Sequence, residues 1–348
     1  MGSLPSPQLV EDFLGVLKLY SDGSIYRSTD LVHPKIPLHD DASAVVWTDC
    51  LFHPDHNLHL RLYRPTSPPP AGQKLPILFY IHAGGFCFGS RTYPKSHNCC
   101  LRLSSALQAV VVSPDHRLAP EHRLPAALDD VYDSLKWLQV QAAQAAAGDD
   151  DDDDETTLSR GSGGGSEWLR EMGDLDRVFV MGDSSGGNLA HHLAVRLGPG
   201  SAELAPVRVR GYVLLSPFFG GTVKTTSEEQ RPCESFWNLD MYDRLWRLSL
   251  PAGATKDHPL ANPFQSTTEI KRAALDPMLV VAGGGEILRD RAEEYASRLR
   301  EYGKTVVYVE FQAQQHGFFT ADCFSPEANT LIQTIQHFIS LYSAPPIY

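Results

Sequence analysis

A serine within a Gly-x-Ser-x-Gly motif is the residue with the clearest chemical potential in this sequence. Residues Val178–Asn188 read VFVMGDSSGGN, and Ser184 stands between an apolar run that predicts a strand and residues that predict a helix. This is the context of a nucleophile elbow, a tight turn that exposes a serine hydroxyl at the edge of a sheet. Gly182 and Gly186 leave room for such a turn. We therefore predict that Ser184 is a nucleophile.

A serine hydroxyl reacts at neutral pH only when a base takes its proton. The sequence has 14 histidines, so position along the chain must select among them. His316 lies on the loop just past residues Val306–Phe311, whose apolar pattern predicts the last strand. Enzymes with a serine elbow carry their nucleophile, acid and base in that chain order. His316 is therefore the predicted general base.

An acid must hold the tautomer of the base and stabilise its protonated form. The loop after the predicted strand Met278–Ala282 contains two acids, Glu286 and Asp290. Glu286 lies nearer the strand end and is the first choice. Asp290 lies one turn further on, where an acid also serves as a helix cap, and it is kept as the alternative.

A tetrahedral intermediate needs hydrogen-bond donors for its oxyanion. His82-Ala83-Gly84-Gly85 follows the apolar run Leu75–Ile81, and two glycines allow backbone N–H groups to approach an oxyanion without a side chain in the way. Gly84 and Gly85 are the predicted oxyanion-hole donors, with the N–H of Ser185 as the third.

The elements that must position these residues alternate between strands and helices. Such alternation predicts an α/β fold, with a mainly parallel sheet between helices, in one domain that spans residues 1–348. The strands are predicted at Val45–Trp47, Leu58–Tyr63, Leu75–Ile81, Ala109–Ser113, Arg177–Met181, Val207–Ser216, Met278–Ala282 and Val306–Phe311. The helices are predicted at Leu9–Tyr20, Ala126–Ala147, Arg291–Tyr302 and Asn329–Tyr342.

Composition excludes several classes of protein. The 348 residues include 42 acids and 30 bases, a net charge of −12, and this disfavours a nucleic-acid partner. Seven of the acids form one run at 149–155, and residues 148–165 are predicted to be a disordered acidic insert. The sequence shows no apolar run of about 18 residues and no signal-peptide pattern, so we expect no membrane association. The expected compartment is the cytoplasm, with the nucleus as a further one.

Six cysteines are present, and none belongs to a C-x-x-C pair, so a zinc site is not expected. We expect free thiols. The proposed serine chemistry needs no metal and no organic cofactor.

The motifs together resemble the plant carboxylesterases, which belong to the hormone-sensitive-lipase group of α/β-hydrolases. The matching segments are the serine elbow, His82–Gly85, Asp115–His122, Pro125–Ala127 with Asp129 and Asp130, Asp257–Pro263 and Asp22–Ser24. The resemblance implies an α/β-hydrolase fold with a helical cap, a small-molecule ester as substrate and no cofactor. Three positions depart from the family pattern: Ala83 stands where a third glycine is usual, His116 where tyrosine is common, and Glu286 where aspartate is usual.

The resemblance implies a serine carboxylesterase that hydrolyses esters of small hydrophobic molecules through a Ser-His-Glu triad and an acyl-enzyme. A glutamate in the acid position, as at Glu286, resembles a subgroup of the plant carboxylesterases that hydrolyses strigolactone hormones. This resemblance implies a role in hormone catabolism. The same family contains the gibberellin receptors, which resemble an esterase without its catalytic histidine. A hormone-binding protein with little or no turnover is therefore the alternative, although the presence of His316 favours an enzyme.

Substrate choice is expected to lie in a cap. The cap would comprise residues 1–40, with the predicted helix Leu9–Tyr20 as a lid, and a second segment at 218–255 that is rich in aromatic residues. The candidate pocket walls are Phe86, Phe219, Trp237 and Phe318, since ligand sites are mostly apolar. The sequence leaves the oligomeric state open.

Overall fold

The computed structural model describes residues 6–13, 15–28, 44–147, 165–230 and 237–343. The chain divides into two compact units, Met1–Leu38 and His39–Tyr348. The acidic insert predicted at 148–165 lies outside the described residues, except that Gly165 begins a helix. Parts of the predicted cap, including residues 29–40 and 231–236, also lie outside them.

The first unit contains three antiparallel strands, β1 (Leu9–Phe13), β2 (Leu17–Tyr20) and β3 (Ile25–Arg27). The predicted helix over Leu9–Tyr20 is therefore wrong. Gly15 has φ +72°, which no helix allows, and its N–H donates to Asp12 Oδ1 at 2.6 Å, so that the chain reverses between β1 and β2.

The second unit is built on an eight-stranded sheet with the order β11-β10-β9-β8-β6-β7-β5-β4. Its strands are β4 (Val45–His53), β5 (Leu58–Pro65), β6 (Leu75–Ile81), β7 (Val110–Pro114), β8 (Gly173–Asp183), β9 (Val209–Leu215), β10 (Met278–Gly283) and β11 (Val306–Phe311). All neighbours from β7 through β6 to β11 pair in parallel, whereas β4 with β5 and β5 with β7 pair antiparallel. The predicted mainly parallel sheet is confirmed.

Ten helices are present in the described residues. They are α1 (Pro94–Leu107), α2 (Ala126–Ala147), α3 (Gly165–Met172), α4 (Ser185–Leu197), α5 (Thr226–Gln230), α6 (Leu239–Ser249), α7 (Thr267–Arg272), α8 (Arg289–Glu301), α9 (Phe318–Ala321) and α10 (Pro326–Tyr342). Helices α1 and α10 share one buried cluster with alternate strand residues such as Leu78 and Phe179. Helix α4 packs on β8 and β9, and α8 packs on β10.

Both faces of the sheet are buried, because the intervening residues Phe79 and Val180 are also fully buried. Among the described residues, no helix has the length and apolar character needed to cross a bilayer. Five of the six cysteines lie in the described ranges, and each is a buried free thiol.

Candidate active site

The predicted nucleophile stands in a strained turn between β8 and α4. Ser184 has φ +56° and ψ −114°, a conformation that non-glycine residues rarely adopt. A Cβ on Gly182 would lie 2.0 Å from the carbonyl oxygen of Gly186, and one on Gly186 would lie 2.2 Å from that of Ile81. Both glycines are thus sterically required, as predicted from the sequence.

The predicted base lies within hydrogen-bond distance of the serine. His316 occupies the loop between β11 and α9, and its Nε2 is 3.0 Å from Ser184 Oγ. Its Nδ1 is 2.6 Å from Glu286 Oε2. With a proton on Nδ1, the imidazole donates to the carboxylate, and the lone pair of Nε2 points at the serine hydroxyl, whose proton it can accept.

The register of the last two strands explains why acid and base meet. Gly283 and Phe311 are parallel partners at the carboxyl ends of β10 and β11. The loops that carry Glu286 and His316 therefore leave the sheet side by side, at the edge where β8 delivers Ser184.

Of the two candidate acids, the structure brings Glu286 to the histidine. Its carboxylate is fully buried, and Oε1 accepts hydrogen bonds from Ser216 Oγ and from the N–H of Gly283, each at 2.8 Å. Asp290 instead accepts from the N–H of Ser227 at 2.7 Å and pairs with Arg289 at 3.0 Å. Asp290 therefore ties α8 to the first turn of α5.

Ser216 was missed by the sequence analysis. It follows Leu215, the last residue of β9, and β9 lies between β8 and β10 in the sheet. Because carboxyl ends of neighbouring parallel strands share one edge, a polar residue just after β9 was the available signal.

The three predicted oxyanion donors occupy the loop after β6 and the first residue of α4. Gly84 has φ +135° and Gly85 has φ +59°. A Cβ on Gly84 would lie 2.1 Å from the carbonyl oxygen of Phe88. Within the described part of the chain, the N–H groups of Gly84, Gly85 and Ser185 have no acceptor, so they are available to an incoming oxyanion.

Two aromatic rings stand edge-on to the imidazole of His316. The centroid of Trp237 is 5.5 Å away and that of Tyr242 is 5.7 Å away, and the two rings stack on each other. Trp237 was a predicted pocket residue, whereas Tyr242 was missed. The sequence marked the whole segment as aromatic but could not show which rings face the base.

The other three predicted pocket residues make packing contacts elsewhere. Phe86 is 1% exposed and packs against Phe218 and Trp246. Phe219 packs against Tyr295, with ring centroids 4.7 Å apart. Phe318 packs against Phe311, with centroids 5.1 Å apart, beside the core cluster.

A buried histidine pair lies at the root of the oxyanion loop. His82 and His116 stack with ring centroids 4.4 Å apart. The Nδ1–H of His82 donates to the carbonyl of Ala83 at 2.8 Å, and that of His116 donates to the carbonyl of Arg117 at 3.0 Å. Burial lowers the pKa of His116 to about 3, with a further decrease from His82, and burial also lowers the pKa of His82.

Comparison with known proteins agrees with this architecture. Residues 78–320 match the sequence profile of a family with the α/β-hydrolase fold. The chain is 32% identical over 335 residues to probable carboxylesterase 8 of Arabidopsis thaliana, covering 94% of this chain and 93% of the relative. It is also 31% identical over 313 residues to the gibberellin receptor GID1C of the same plant, covering 86% and 82%.

Among solved structures, an esterase from Pyrobaculum calidifontis superposes with a TM-score of 0.67 at 26% identity. The match covers 89% of this chain and 87% of the esterase. The chain therefore belongs to the α/β-hydrolase family, within the plant carboxylesterases related to gibberellin receptors, and is a carboxylic ester hydrolase.

Proposed function

We propose that this chain hydrolyses esters of small hydrophobic molecules through the triad Ser184, His316 and Glu286. The observation that carries the proposal is an unbroken line of two contacts, 3.0 Å from Ser184 Oγ to His316 Nε2 and 2.6 Å from His316 Nδ1 to Glu286 Oε2. These are hydrogen-bond distances between a nucleophile, a base and an acid in the order that acyl transfer needs.

The reaction proceeds in two halves. Ser184 Oγ attacks the ester carbonyl carbon while His316 Nε2 takes the hydroxyl proton, and the N–H groups of Gly84, Gly85 and Ser185 hold the oxyanion. His316 then gives its proton to the leaving alcohol as the carbon–oxygen bond breaks. A water molecule, deprotonated by the same histidine, then attacks the acyl-enzyme. His316 returns that proton to Ser184 Oγ as the acyl–oxygen bond breaks, which releases the carboxylic acid and restores the serine.

The surroundings of the base support an apolar substrate. The rings of Trp237 and Tyr242 border His316, so an alcohol that leaves from this histidine departs past aromatic surface. Within this class we include strigolactone hormones as substrates. The choice of strigolactones rests on Glu286 in the acid position, where the carboxylesterases that hydrolyse these hormones also have a glutamate.

A gibberellin-receptor-like binding protein is the second candidate, supported by the 31% identity to the receptor GID1C. It differs from an esterase in outcome, since a receptor keeps its ligand without turning it over. The position of His316 beside Ser184 favours the esterase.

Hydrolysis of a short-chain p-nitrophenyl ester tests the proposal. Wild type is expected to give many turnovers per molecule, and Ser184→Ala and His316→Ala are each expected to lower kcat by about 10⁴ or more. Ser340→Ala is the matched control, because this serine lies on the exposed side of α10 and its hydroxyl donates to the carbonyl of Gln336.

Undiminished hydrolysis in folded Ser184→Ala would refute the triad. A folded wild type that binds gibberellin or a strigolactone but never turns over an ester would favour the receptor instead.

A further inference from the structure

A buried carboxylate directly precedes the nucleophile, and the mechanism above gives it no role. Asp183 is the last residue of β8, and it is 3% exposed. Its Oδ2 accepts a hydrogen bond from Thr320 Oγ1 at 3.2 Å. Because Asp183 is joined to Ser184 by one peptide bond, whatever holds its side chain also holds the nucleophile elbow.

Thr320 belongs to the element that carries the base. Helix α9 begins at Phe318, two residues after His316, and Thr320 lies 7% exposed within it. Its Oγ1 is also 3.2 Å from the carbonyl oxygen of Gly317. The same hydroxyl thus reaches both the carboxyl group of Asp183 and the backbone just before α9. The hydroxyl therefore links the loop of the base to the elbow of the nucleophile.

The titratable groups around Asp183 come from four neighbouring elements. His316 lies on the loop before α9, Lys95 on α1 and Glu286 on the loop after β10. Tyr80 of β6 and Cys99 of α1 also interact with the carboxylate. Burial raises the pKa of Asp183, and His316, Thr320 and Lys95 oppose that rise.

We propose that Thr320 and Asp183 are positioning residues of the esterase: the hydrogen bond from Thr320 Oγ1 to Asp183 Oδ2 fastens the loop of His316 to the nucleophile elbow. The inference rests on the proposed triad. Glu286 orients His316 from the Nδ1 side, whereas the Thr320–Asp183 contact fixes the loop relative to Ser184.

The first test compares Thr320→Val with Thr320→Ser and with the control Thr330→Val. Thr330 is an exposed threonine of α10, and its hydroxyl donates to the carbonyl of Pro326. Thr320→Val is expected to lower kcat on a p-nitrophenyl ester about tenfold, with KM nearly unchanged, because misplacement of the base affects the transition state. Thr320→Ser, which keeps the hydroxyl, is expected to restore most of kcat. Wild-type kcat in Thr320→Val would overturn the inference.

The second test removes the acceptor. Asp183→Ala deletes the carboxyl oxygen that Thr320 bonds, so it is expected to lower kcat about tenfold with KM nearly unchanged. Asp183→Ser replaces the alanine variant if that does not fold. Thr320→Val added to the folded Asp183 variant is expected to cause little further loss, and a second full tenfold loss would overturn the link.

Parallel assays of Ser184→Ala and His316→Ala distinguish a failure of the proposed triad from a failure of the proposed positioning role. If both are inactive while Thr320→Val matches wild type, only the present inference fails. If either retains full activity, the proposed triad fails first.

Discussion

Replacing Glu286 with glutamine should abolish esterase activity for a reason that the structure makes specific. Oε1 of Glu286 accepts from both Ser216 Oγ and the N–H of Gly283, and Oε2 accepts from His316 Nδ1. A glutamine has one acceptor oxygen and one amide nitrogen. The N–H of Gly283 is fixed in the backbone and can only donate, so the oxygen must stay on that side.

The amide nitrogen then faces His316 and donates to Nδ1. This moves the imidazole proton to Nε2, where it points at Ser184 Oγ. A protonated Nε2 cannot accept the proton of the serine hydroxyl. The same inversion of tautomer in serine proteases lowers kcat by about 10⁴. We expect a similar loss here, equivalent to roughly 5 kcal/mol of transition-state stabilisation.

The assay is steady-state hydrolysis of a p-nitrophenyl ester, with circular dichroism as a check that each variant is folded. Asp290→Asn is the control, because Asp290 is the competing acid of the sequence and bonds Ser227 and Arg289 rather than the base. It should retain kcat within a few-fold of wild type. A folded Glu286→Gln that keeps more than about a tenth of wild-type kcat would refute the reasoning, as would an inactive Asp290→Asn.

Three further outcomes are expected. Ser216→Ala removes one buried hydrogen bond to Glu286 and should lower kcat about tenfold; unchanged kcat would contradict this. Gly186→Ala would place a Cβ 2.2 Å from the carbonyl oxygen of Ile81, so the variant is expected to melt at a lower temperature than wild type; an equal melting temperature would contradict this. The pKa of His116 is about 3, below the ordinary 6.5, so the unfolded chain binds an extra proton as pH falls below 6.5 and stability decreases. Between pH 7 and pH 5, the free energy of unfolding of wild type should therefore fall by about 2 kcal/mol more than that of His116→Phe, as measured by urea titrations at the two pH values.

The sequence identified well those parts of the molecule that depend on local pattern. The strands Leu75–Ile81 and Val306–Phe311 and the helix Ala126–Ala147 match the structure residue for residue. Continuous apolar runs bounded by turn residues allow few alternatives. Chain order and the ends of predicted strands were enough to select Ser184 and His316 from many serines and histidines.

Features that depend on contacts between distant segments escaped the sequence analysis. Leu9–Tyr20 satisfies helical and alternating spacing alike, and only the reversal at Gly15 decides for strands. Helix α1 was not predicted, since its buried face includes polar residues such as Asn98. Ser216 and Thr320 could not be singled out from the sequence, because their partners at the site, Glu286 and Asp183, lie 70 and 137 residues away along the chain.

The proposed general base, His316, lies on the loop that follows β11, an edge strand of the described sheet. In the described part of the chain, β11 pairs with β10 alone, so its release would break one strand pairing together with the packing of α8 on β11. Local opening of an edge requires less free energy than global unfolding. Heating is therefore expected to lower the esterase activity reversibly at temperatures below the melting temperature of the chain. The activity would then detect local opening at β11 that circular dichroism of the whole chain does not.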